Sequence, residues 1–571
     1  MTAHDPNLPT HPDPDDLDAW FASAPPMPTA AAERIAGRHK LGVIVGGSLN
    51  RGLEVKLDRD TDMEALAVGS YVVVQGRHKD FFCMITDIML ETANPAIRSD
   101  PPDISDPFLA EVYGGTAAYG VLHVAPVLVI DRQEGAPRPI KTVPAHFTAV
   151  QTATAEDVNR IFGEEDAEHF NIGAPLELEH TQVNLDLRRL VERSVGVFGK
   201  SGTGKSFLTR MVLAGIIKNN VAVNLIFDMH NDYGWSARDE RGTQVKGLRQ
   251  LFGAGKVAIF TLDAEATRRR GVSPDYEVVI PYSAIEPEDL AMLKTTLDLS
   301  DSMIDAAYEL SRHWGKGWIG ELIHADAETL KELKEEIAAS PASVQALKRR
   351  VQRFQRYAFL TEQAETDSAK RILEHIERGV HVVLEFGRYG SDLSAYILVA
   401  NYLTRRIHSM YVERMEKALG DSALEPPQLL ITIEEAHKFL DPQIARQTIF
   451  GIIARELRKY NVTLLVVDQR PSGIDEEVMS QIGTRITALL DNERDIAAVL
   501  TGVSGASGLR EVLARLDTKQ QALILGHAVP MPVVVQTRTY DTDFYRALGV
   551  QDEPETPTRS KPSDPRSRRL R

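Results

Sequence analysis

The sequence predicts an α/β fold, with a mostly parallel sheet wrapped by helices, a small β-barrel before it and a helical insertion within it. Between residues 41 and 131, short β-rich runs alternate with Gly, Asn and Asp turns, as in small barrels. After residue 191, apolar β-branched runs alternate with long helical stretches, which is typical of a parallel sheet buried on both faces. Residues 287–378 are mostly helical and too long for an ordinary connection, which indicates an insertion.

The individual elements follow from the same patterns. The barrel strands are predicted at Leu41–Val45, Gly52–Leu57, Tyr71–Gly76, Phe81–Leu90 and Val121–Ile130. The strands of the large sheet are predicted at Ser194–Phe198, Val221–Asp228, Val257–Leu262, Val380–Phe386, Leu429–Ile433, Val462–Val467, Thr484–Leu490, Ala522–Leu525 and Val533–Thr537. The clearest helices of the insertion are predicted at Glu328–Ala339 and Ser343–Phe354.

These elements divide the chain into four predicted segments. An acidic, Pro-rich lead at 1–34 is expected to be disordered, and the barrel occupies 35–150. The α/β domain extends over 151–545, with its insertion at about 287–378. A basic tail at 546–571, containing six Arg and Lys residues between Arg559 and Arg571, is also expected to be disordered.

Composition limits the class of protein. The chain has 571 residues, a net charge of −16 and one cysteine, Cys83, which lies in an apolar run and is expected to be buried. A single cysteine excludes an internal disulfide and favours a reducing cytoplasm. No apolar run approaches the roughly 20 residues that span a bilayer, so no membrane segment is predicted. The acidic balance argues against a protein that coats nucleic acid nonspecifically, although a channel can carry local basic charge.

The strongest motif is Gly199-Lys200-Ser201-Gly202-Thr203-Gly204-Lys205-Ser206, a complete G-x-x-x-x-G-K-[ST] phosphate loop between a predicted strand and a predicted helix. Its glycines let backbone N–H groups surround phosphates, and the helix N-terminus adds a positive dipole. Lys205 is expected to reach the β- and γ-phosphates, and Ser206 to bind Mg²⁺. The motif therefore predicts a P-loop NTPase core of the RecA-like type, with ATP and Mg²⁺ as cofactors.

A second motif places two carboxylates, Glu434 and Glu435, after the predicted strand Leu429–Ile433. Ligands of open α/β sheets lie at the carboxyl ends of strands. Glu434 is expected on the metal side and Glu435 is expected to polarise the attacking water. The alternative is a charged strand end that caps the next element.

Five further residues are weaker candidates. Arg455 and Arg458 precede the strand at 462–467, and either could reach the nucleotide of a neighbouring subunit or simply form a solvated face. Gln469 follows that strand and either suits a sensor of the γ-phosphate or is simply part of a strand-end turn. Asp228 or His230, at the end of another strand, is either functional or part of a turn.

Taken together, these motifs resemble the HerA ATPases of the larger HerA/FtsK group. The resemblance covers residues 41–539 and includes the phosphate loop, Ile226–His230, Ile433–His437, Ala454–Tyr460 and Val467–Ser472. The segment Gly42–Leu49 is also similar to the start of that family's barrel.

The resemblance implies a homo-hexameric ring that hydrolyses ATP to translocate or unwind double-stranded DNA passing through its pore. It implies a NurA-type nuclease or another effector as partner, in recombination repair or in antiphage defence. It also implies that Lys205 and Ser206 bind nucleotide and Mg²⁺, that Glu434 supports the metal and Glu435 is catalytic, and that Arg455 acts on the neighbouring subunit with Arg458 in reserve. The alternatives are a nucleotide-switched scaffold and an export or conjugation ATPase. For DNA contacts, the candidates are the tail and the loop residues Arg238 and Arg241.

Overall fold

The computed structural model describes residues 37–550 except 115, 239–243, 422–423, 446–447, 456–458 and 504–505. The predicted acidic lead, and the tail from residue 551 onward, lie outside the described residues. None of the helices in the described ranges is both long and apolar enough to cross a membrane.

The N-terminal unit is a closed barrel of six antiparallel strands, in the order β2-β1-β7-β3-β4-β5, and β5 closes the barrel by pairing with β2. A further short strand, β6, extends from β5. Small and β-branched side chains fill the interior, among them Val55, Val74, Cys83 and Ile85. Burial in β4 raises the pKa of the Cys83 thiol. The strands are β1 Lys40–Ser48, β2 Gly52–Leu57, β3 Tyr71–Gln75, β4 Lys79–Thr92, β5 Ala118–Asp131, β6 Pro137–Pro139 and β7 Ala149–Thr152.

The second unit is built on a sheet of 12 strands in the order β15-β14-β18-β11-β19-β20-β10-β21-β22-β23-β8-β9. The strands from β15 to β21 in this order are parallel, and the remaining four pair antiparallel. Their bounds are β8 His169–Pro175, β9 Val183–Asp186, β10 Val195–Phe198, β11 Val223–Asp228, β14 Val257–Thr261, β15 Tyr276–Glu277, β18 His381–Glu385, β19 Leu429–Glu434, β20 Val462–Asp468, β21 Thr484–Thr487, β22 Gln521–Gly526 and β23 Val533–Thr537. Two small pairs lie outside it, β12 Ala237–Arg238 with β13 Gln244–Val245 and β16 Ile280–Pro281 with β17 Leu360–Thr361.

Helices cover both faces of this sheet and form most of the insertion. Those outside the insertion are α1 Ala96–Ser99, α2 Pro107–Tyr113, α3 Ala155–Phe162, α4 Leu187–Glu192, α5 Lys205–Asn219, α6 Leu248–Phe252, α7 Ala264–Arg269, α15 Leu393–Ala418, α16 Ile449–Arg455, α17 Glu476–Gln481, α18 Glu493–Val499, α19 Ala506–Ala514 and α20 Thr542–Ala547. Those between β16 and β18 are α8 Pro287–Met292, α9 Lys294–Leu297, α10 Asp301–Trp314, α11 Trp318–His324, α12 Ala327–Glu336, α13 Pro341–Val351 and α14 Ser368–Glu377.

A buried ion pair holds the helical insertion on the core. Asp289, in α8, is fully buried and accepts hydrogen bonds from Asn401 Nδ2 at 3.1 Å and Arg405 Nη2 at 2.8 Å, both from α15. Burial raises the pKa of Asp289, and the Arg405 charge opposes this effect. A buried carboxylate of this kind is tolerated only with its partners present, so the pair fixes how α8 sits against the long helix.

The strands predicted from apolar runs in the core are present, with ends that agree to within three residues. Nine short strands of the described residues were not predicted, among them β7, β8 and β9. The barrel strand β7, the edge strand β9 and its neighbour β8 are short and partly polar, so they lack the continuous apolar run that marks a core strand. Their conformation depends on pairing with strands that are distant in the chain, such as β7 with β1 and β8 with β23.

Candidate nucleotide site

The phosphate loop connects β10 to α5 at the carboxyl edge of the parallel strands. Gly199 and Gly204 have φ values of +154° and +85°, a region that favours glycine. A Cβ on Gly199 would lie 2.7 Å from Thr203 Oγ1, which leaves no room for a side chain. Thr203 Oγ1 donates to the carbonyl of Lys200 at 2.8 Å, which closes the loop on itself. The loop is therefore shaped by its glycines to present backbone rather than side chains.

Helix α5 begins directly after this loop and has 15 residues. Its N-cap is Gly204, and no side chain of the described residues caps its first N–H groups. The first N–H groups of a helix have no partner within the helix and carry the positive end of its dipole. This end of α5 is therefore ready to receive an anion such as a phosphate.

Lys205 is the first residue of α5 and its ammonium group lies inside the loop. Its Nζ donates to the carbonyl of Lys200 at 2.9 Å. Burial lowers the pKa of Lys205, while the carboxylates of Glu435, Asp468 and Glu434 favour its charged form. The amine thus faces the carboxylates at the ends of β19 and β20.

Two buried tyrosines hold Glu434 at the end of β19. Tyr233, from the loop after β11, donates its hydroxyl to Glu434 Oε1 at 2.8 Å. Tyr396, near the start of α15, donates to the carbonyl of Glu434 at 3.0 Å and accepts from its N–H at 3.1 Å. Both rings are fully buried. Sequence patterns did not identify these tyrosines, although the position of Tyr233 just after a strand end of the sheet is a usable signal.

The second oxygen of Glu434 is available for a cation. Glu434 is only 6% exposed, and within the described ranges no donor reaches its Oε2 atom. Burial, together with the negative charge of Asp228, raises the pKa of Glu434 to about 8. A buried carboxylate oxygen without a donor is costly unless a cation pairs with it. This carboxylate and the Ser206 hydroxyl, which faces the same cavity, therefore fit the hard oxygen ligands that Mg²⁺ prefers.

Glu435 follows Glu434 but points in a different direction. Its backbone is left-handed, with φ +48° and ψ +45°, a conformation that costs a non-glycine residue about 1 kcal/mol. Gln469 Nε2, just after β20, donates to Glu435 Oε1 at 3.0 Å. The Glu435 side chain is 27% exposed and lines the cavity beside the phosphate loop. The carboxylate is thus both accessible and oriented, as a group that interacts with water requires.

Asp468 and His437 link the loop after β19 to β20. The buried Asp468 carboxylate accepts the N–H of His437 at 2.7 Å, and His437 Nδ1 lies 2.9 Å from Asp468 Oδ2. The same Nδ1 lies 3.7 Å from Glu435 Oε2. This contact, which sequence patterns did not identify, fixes the backbone that carries Glu435.

Asp228 forms the turn after β11. Its carboxylate accepts hydrogen bonds from the N–H groups of Asp232 at 2.7 Å and Tyr233 at 2.9 Å. Asp228 is therefore part of a turn, which is one of the two roles expected for it from the sequence. Burial raises the pKa of Asp228 to about 7. His230, two residues later, lines the same cavity as the phosphate loop.

Of the two arginine candidates, one is described. Arg455 is the last residue of α16 and is partly buried, and it is not among the described residues that line the cavity of its own chain. Arg458 lies outside the described residues.

The cavity formed by these groups has a volume of about 350 Å³. Phosphate-loop residues form one wall, and Glu434, Glu435 and Gln469 form the other. A triphosphate bound by the loop would thus face an ammonium group, a hydroxyl and two carboxylates of different burial.

The family model and the individual relatives that match this chain both carry the description HerA helicase. The family model described as "Helicase HerA, central domain" matches residues 170–407. The "DNA double-strand break repair helicase HerA" of Pyrococcus furiosus is 26% identical over 458 residues, covering 75% of this chain and 79% of that protein. The protein of the same name from Sulfurisphaera tokodaii is 24% identical over 507 residues, covering 88% and 93%.

The chain is similar to the HerA helicases over most of its length. It is accordingly a P-loop ATPase. Among solved structures, VirB4 of Thermoanaerobacter pseudethanolicus aligns with a TM-score of 0.43 and 16% identity, over 67% of this chain and 99% of that one. The plasmid coupling protein TrwB in complex with an ATP analogue aligns with a TM-score of 0.44 and 12% identity, over 68% and 94%.

The Tyr233–Glu434 hydrogen bond generates a testable prediction about magnesium. Tyr233→Phe leaves Glu434 Oε1 buried without its donor, so the carboxylate loses its fixed orientation. Loss of a group that orients a metal ligand typically costs 10–100-fold in metal affinity or activity, and we expect the Mg²⁺ concentration for half-maximal ATPase to rise about tenfold. The measurement is a Mg²⁺ titration of the ATPase rate.

The matched control is Tyr411→Phe. Tyr411, in α15, is also fully buried, and its hydroxyl donates to the Pro427 carbonyl at 3.2 Å instead of to Glu434. An unchanged Mg²⁺ requirement in Tyr233→Phe, or an equal change in both variants, would contradict the orienting role.

Proposed function

We propose that this chain binds ATP with Mg²⁺ and couples its hydrolysis to movement along, or unwinding of, double-stranded DNA. The observation that carries the proposal is the cavity in which the phosphate loop faces the free oxygen of Glu434 and the oriented carboxylate of Glu435. The relatives are named DNA double-strand break repair helicases, which supports DNA as the polymer along which the protein moves.

Each residue of the site has a proposed part. The N–H groups of residues 199–204 and the Lys205 ammonium bind the phosphates. Ser206 and Glu434 hold Mg²⁺, which when bound would neutralise charge on the phosphates. Glu435 accepts a proton from the attacking water, and Gln469 keeps its carboxylate in place through the 3.0 Å hydrogen bond.

We further propose that six copies form a ring and that a NurA-type nuclease is the partner implied by the family resemblance. The same resemblance implies that Arg455 acts at the neighbouring subunit's nucleotide. Such an arginine has an effect only where subunits meet in a closed assembly. It would stabilise the charge that develops on the transferred phosphoryl group.

The catalytic assignment predicts different defects for two substitutions. Lys205→Ala removes the ammonium group that reaches the phosphates and should weaken nucleotide binding strongly. Glu435→Gln keeps an oxygen that can accept from Gln469 but loses the base, so ATP should still bind while hydrolysis falls about 100-fold or more. Both are measured by nucleotide binding and by phosphate release.

Glu425→Gln serves as the control, because Glu425 is exposed, lies just before β19 and accepts a hydrogen bond from the Asn461 amide. Hydrolysis by Glu435→Gln at the rate of this control would rule out Glu435 as the base.

The trans-acting arginine predicts complementation between two inactive variants. Arg455→Ala and Lys205→Ala subunits should each lack ATPase activity alone. Mixed rings contain interfaces that join an intact phosphate loop to an intact arginine, so mixing should restore part of the rate. The experiment measures ATPase against mixing ratio, with light scattering to verify a hexamer. Full activity of a monomer, or mixtures no more active than their components, would contradict this role.

The DNA proposal predicts a salt-dependent stimulation. Strands β12 and β13 flank residues 239–243, and Arg241 lies in this stretch, outside the described residues and three positions after Arg238. Duplex DNA should raise the ATPase rate, and the effect should fade with salt because phosphate contacts release counterions. Loss of both arginines should reduce the slope of log affinity against log salt by about two.

The double variant Arg238→Ala/Arg241→Ala is compared with the double variant Arg98→Ala/Arg312→Ala. The control removes the same amount of positive charge from two exposed side chains in other parts of the protein. Deletion of the tail from residue 551 is a third arm and should have the smaller effect. Failure of duplex DNA to bind or stimulate at low salt, with a nuclease partner present, would favour a nucleotide-switched scaffold instead.

A further inference from the structure

The helical insertion contacts the first turn of α15, and this turn contacts the end of β19 that carries Glu434. The insertion reaches α15 through Arg356, the last residue of a short 3₁₀ helix at Gln352–Arg356, and through Tyr357 directly after it. Both side chains bond to Asp392, the N-cap residue of α15. This contact joins the insertion, to which no role has been assigned, to the nucleotide site.

Asp392 uses its two carboxylate oxygens differently. Its Oδ1 atom accepts hydrogen bonds from the backbone N–H groups of Ser394 at 3.0 Å and Ala395 at 3.3 Å, which caps the helix. Its Oδ2 atom accepts hydrogen bonds from Arg356 Nη2 at 2.8 Å and from the Tyr357 hydroxyl at 3.0 Å. Arg356 Nη2 also donates to the Tyr357 hydroxyl oxygen at 2.8 Å. The insertion therefore fixes the orientation in which Asp392 caps α15.

The capped turn of α15 contains Tyr396. The backbone N–H of Tyr396 donates to the Asp392 carbonyl at 3.0 Å, the first hydrogen bond within the helix. The buried Tyr396 ring packs against Phe386 and Phe439, with centroid distances of 5.1 and 5.2 Å. The position of the Tyr396 hydroxyl thus depends on the cap as well as on the packing of the ring.

The Tyr396 hydroxyl takes the place of a strand partner for Glu434. The pairing of β19 with β11 extends to Thr432, whereas its pairing with β20 extends to Glu434. Beyond Thr432, the hydroxyl donates to the Glu434 carbonyl at 3.0 Å and accepts from the Glu434 N–H at 3.1 Å. The next residue, Glu435, has a left-handed backbone, and such a conformation persists only where the surrounding structure holds it. The Tyr396 hydroxyl is one of the groups that hold the chain here.

We propose that Arg356 and Tyr357 are positioning residues for the two carboxylates at the end of β19. This role rests on the proposed hydrolytic function of those carboxylates and gives the helical insertion a part in it. The two side chains hold Asp392, the capped turn holds Tyr396, and the Tyr396 hydroxyl holds the peptide from which the first carboxylate extends and to which the second is joined.

Loss of this contact should slow hydrolysis without weakening ATP binding, because the phosphate loop follows β10, two strands away from β19. Arg356→Ala removes the ion pair with Asp392, and Tyr357→Phe removes one hydrogen bond and keeps the ring. We expect Arg356→Ala to lower kcat about fivefold and Tyr357→Phe about twofold, as for a helix-cap contact, with the KM for ATP changed less than about twofold. Arg356→Lys, which keeps a donor, should restore most of the rate.

Arg350→Ala is the matched control. It also removes an arginine of the insertion, one that pairs with the exposed carboxylate of Asp298 at 2.5 Å instead of with Asp392. This variant should hydrolyse ATP at the wild-type rate.

The route through Tyr396 is tested by two further measurements. In a Tyr396→Phe background, Arg356→Ala should cause no additional loss of kcat, because residues that act through one shared contact are not additive. Hydrogen exchange followed by mass spectrometry reports on the peptide that contains the Glu434 N–H. That peptide should exchange at least about fivefold faster in Arg356→Ala than in Arg350→Ala, since the acceptor of this N–H is less firmly held.

The possible outcomes separate this role from the proposed function. Unchanged kcat in Arg356→Ala and Tyr357→Phe would overturn the positioning role, and so would an equal loss in Arg350→Ala. An Arg356→Ala defect of the same size with and without the Tyr396 hydroxyl would overturn the route through Tyr396. Wild-type protein that hydrolyses no ATP would overturn the proposed function instead, and the exchange measurement would still decide whether the insertion holds Glu434.

Discussion

Strand β10 is hydrogen-bonded on both sides to parallel strands, β20 and β21, and the position of the phosphate loop follows from that pairing. The register places Phe198 opposite Asp468 and Thr487, so the loop begins where both neighbouring strands end. Parallel strands buried on both faces need helices to cover them, and α5 supplies one such helix while its N-terminus faces the loop. The parallel pairing of these strands thus forms the core of the sheet and also brings the polar groups at the strand ends to one edge of it.

Burial of charge at this edge is compensated by a shared network. Glu434 is held by Tyr233 and Tyr396, whereas Glu435 has a left-handed backbone and is held by Gln469. Adjacent carboxylates therefore occupy different environments, one desolvated and one partly exposed. The two carboxylates can therefore have different roles, because the protein around each one sets its charge and its access to solvent.

The loop after β11 connects several parts of the site. The Asp228 carboxylate shapes it, Tyr233 extends from it to Glu434, and Arg210 of α5 donates to its Asp232 carbonyl. It then leads into the β12–β13 pair that flanks residues 239–243. The segment that contributes Tyr233 to the Glu434 site therefore continues directly into strand β12.

The sequence alone determined the phosphate loop, the paired glutamates and most core strands, since glycine geometry and continuous apolar runs are local properties. It did not determine strands such as β7, nor the contacts of Tyr233, Tyr396 and His437. Those depend on which distant segments meet, as Tyr233 meets Glu434 201 residues away. Only the tertiary structure decided that β22 and β23 would lie beside the loop, because strand order is set by packing of the whole sheet and not by any local pattern.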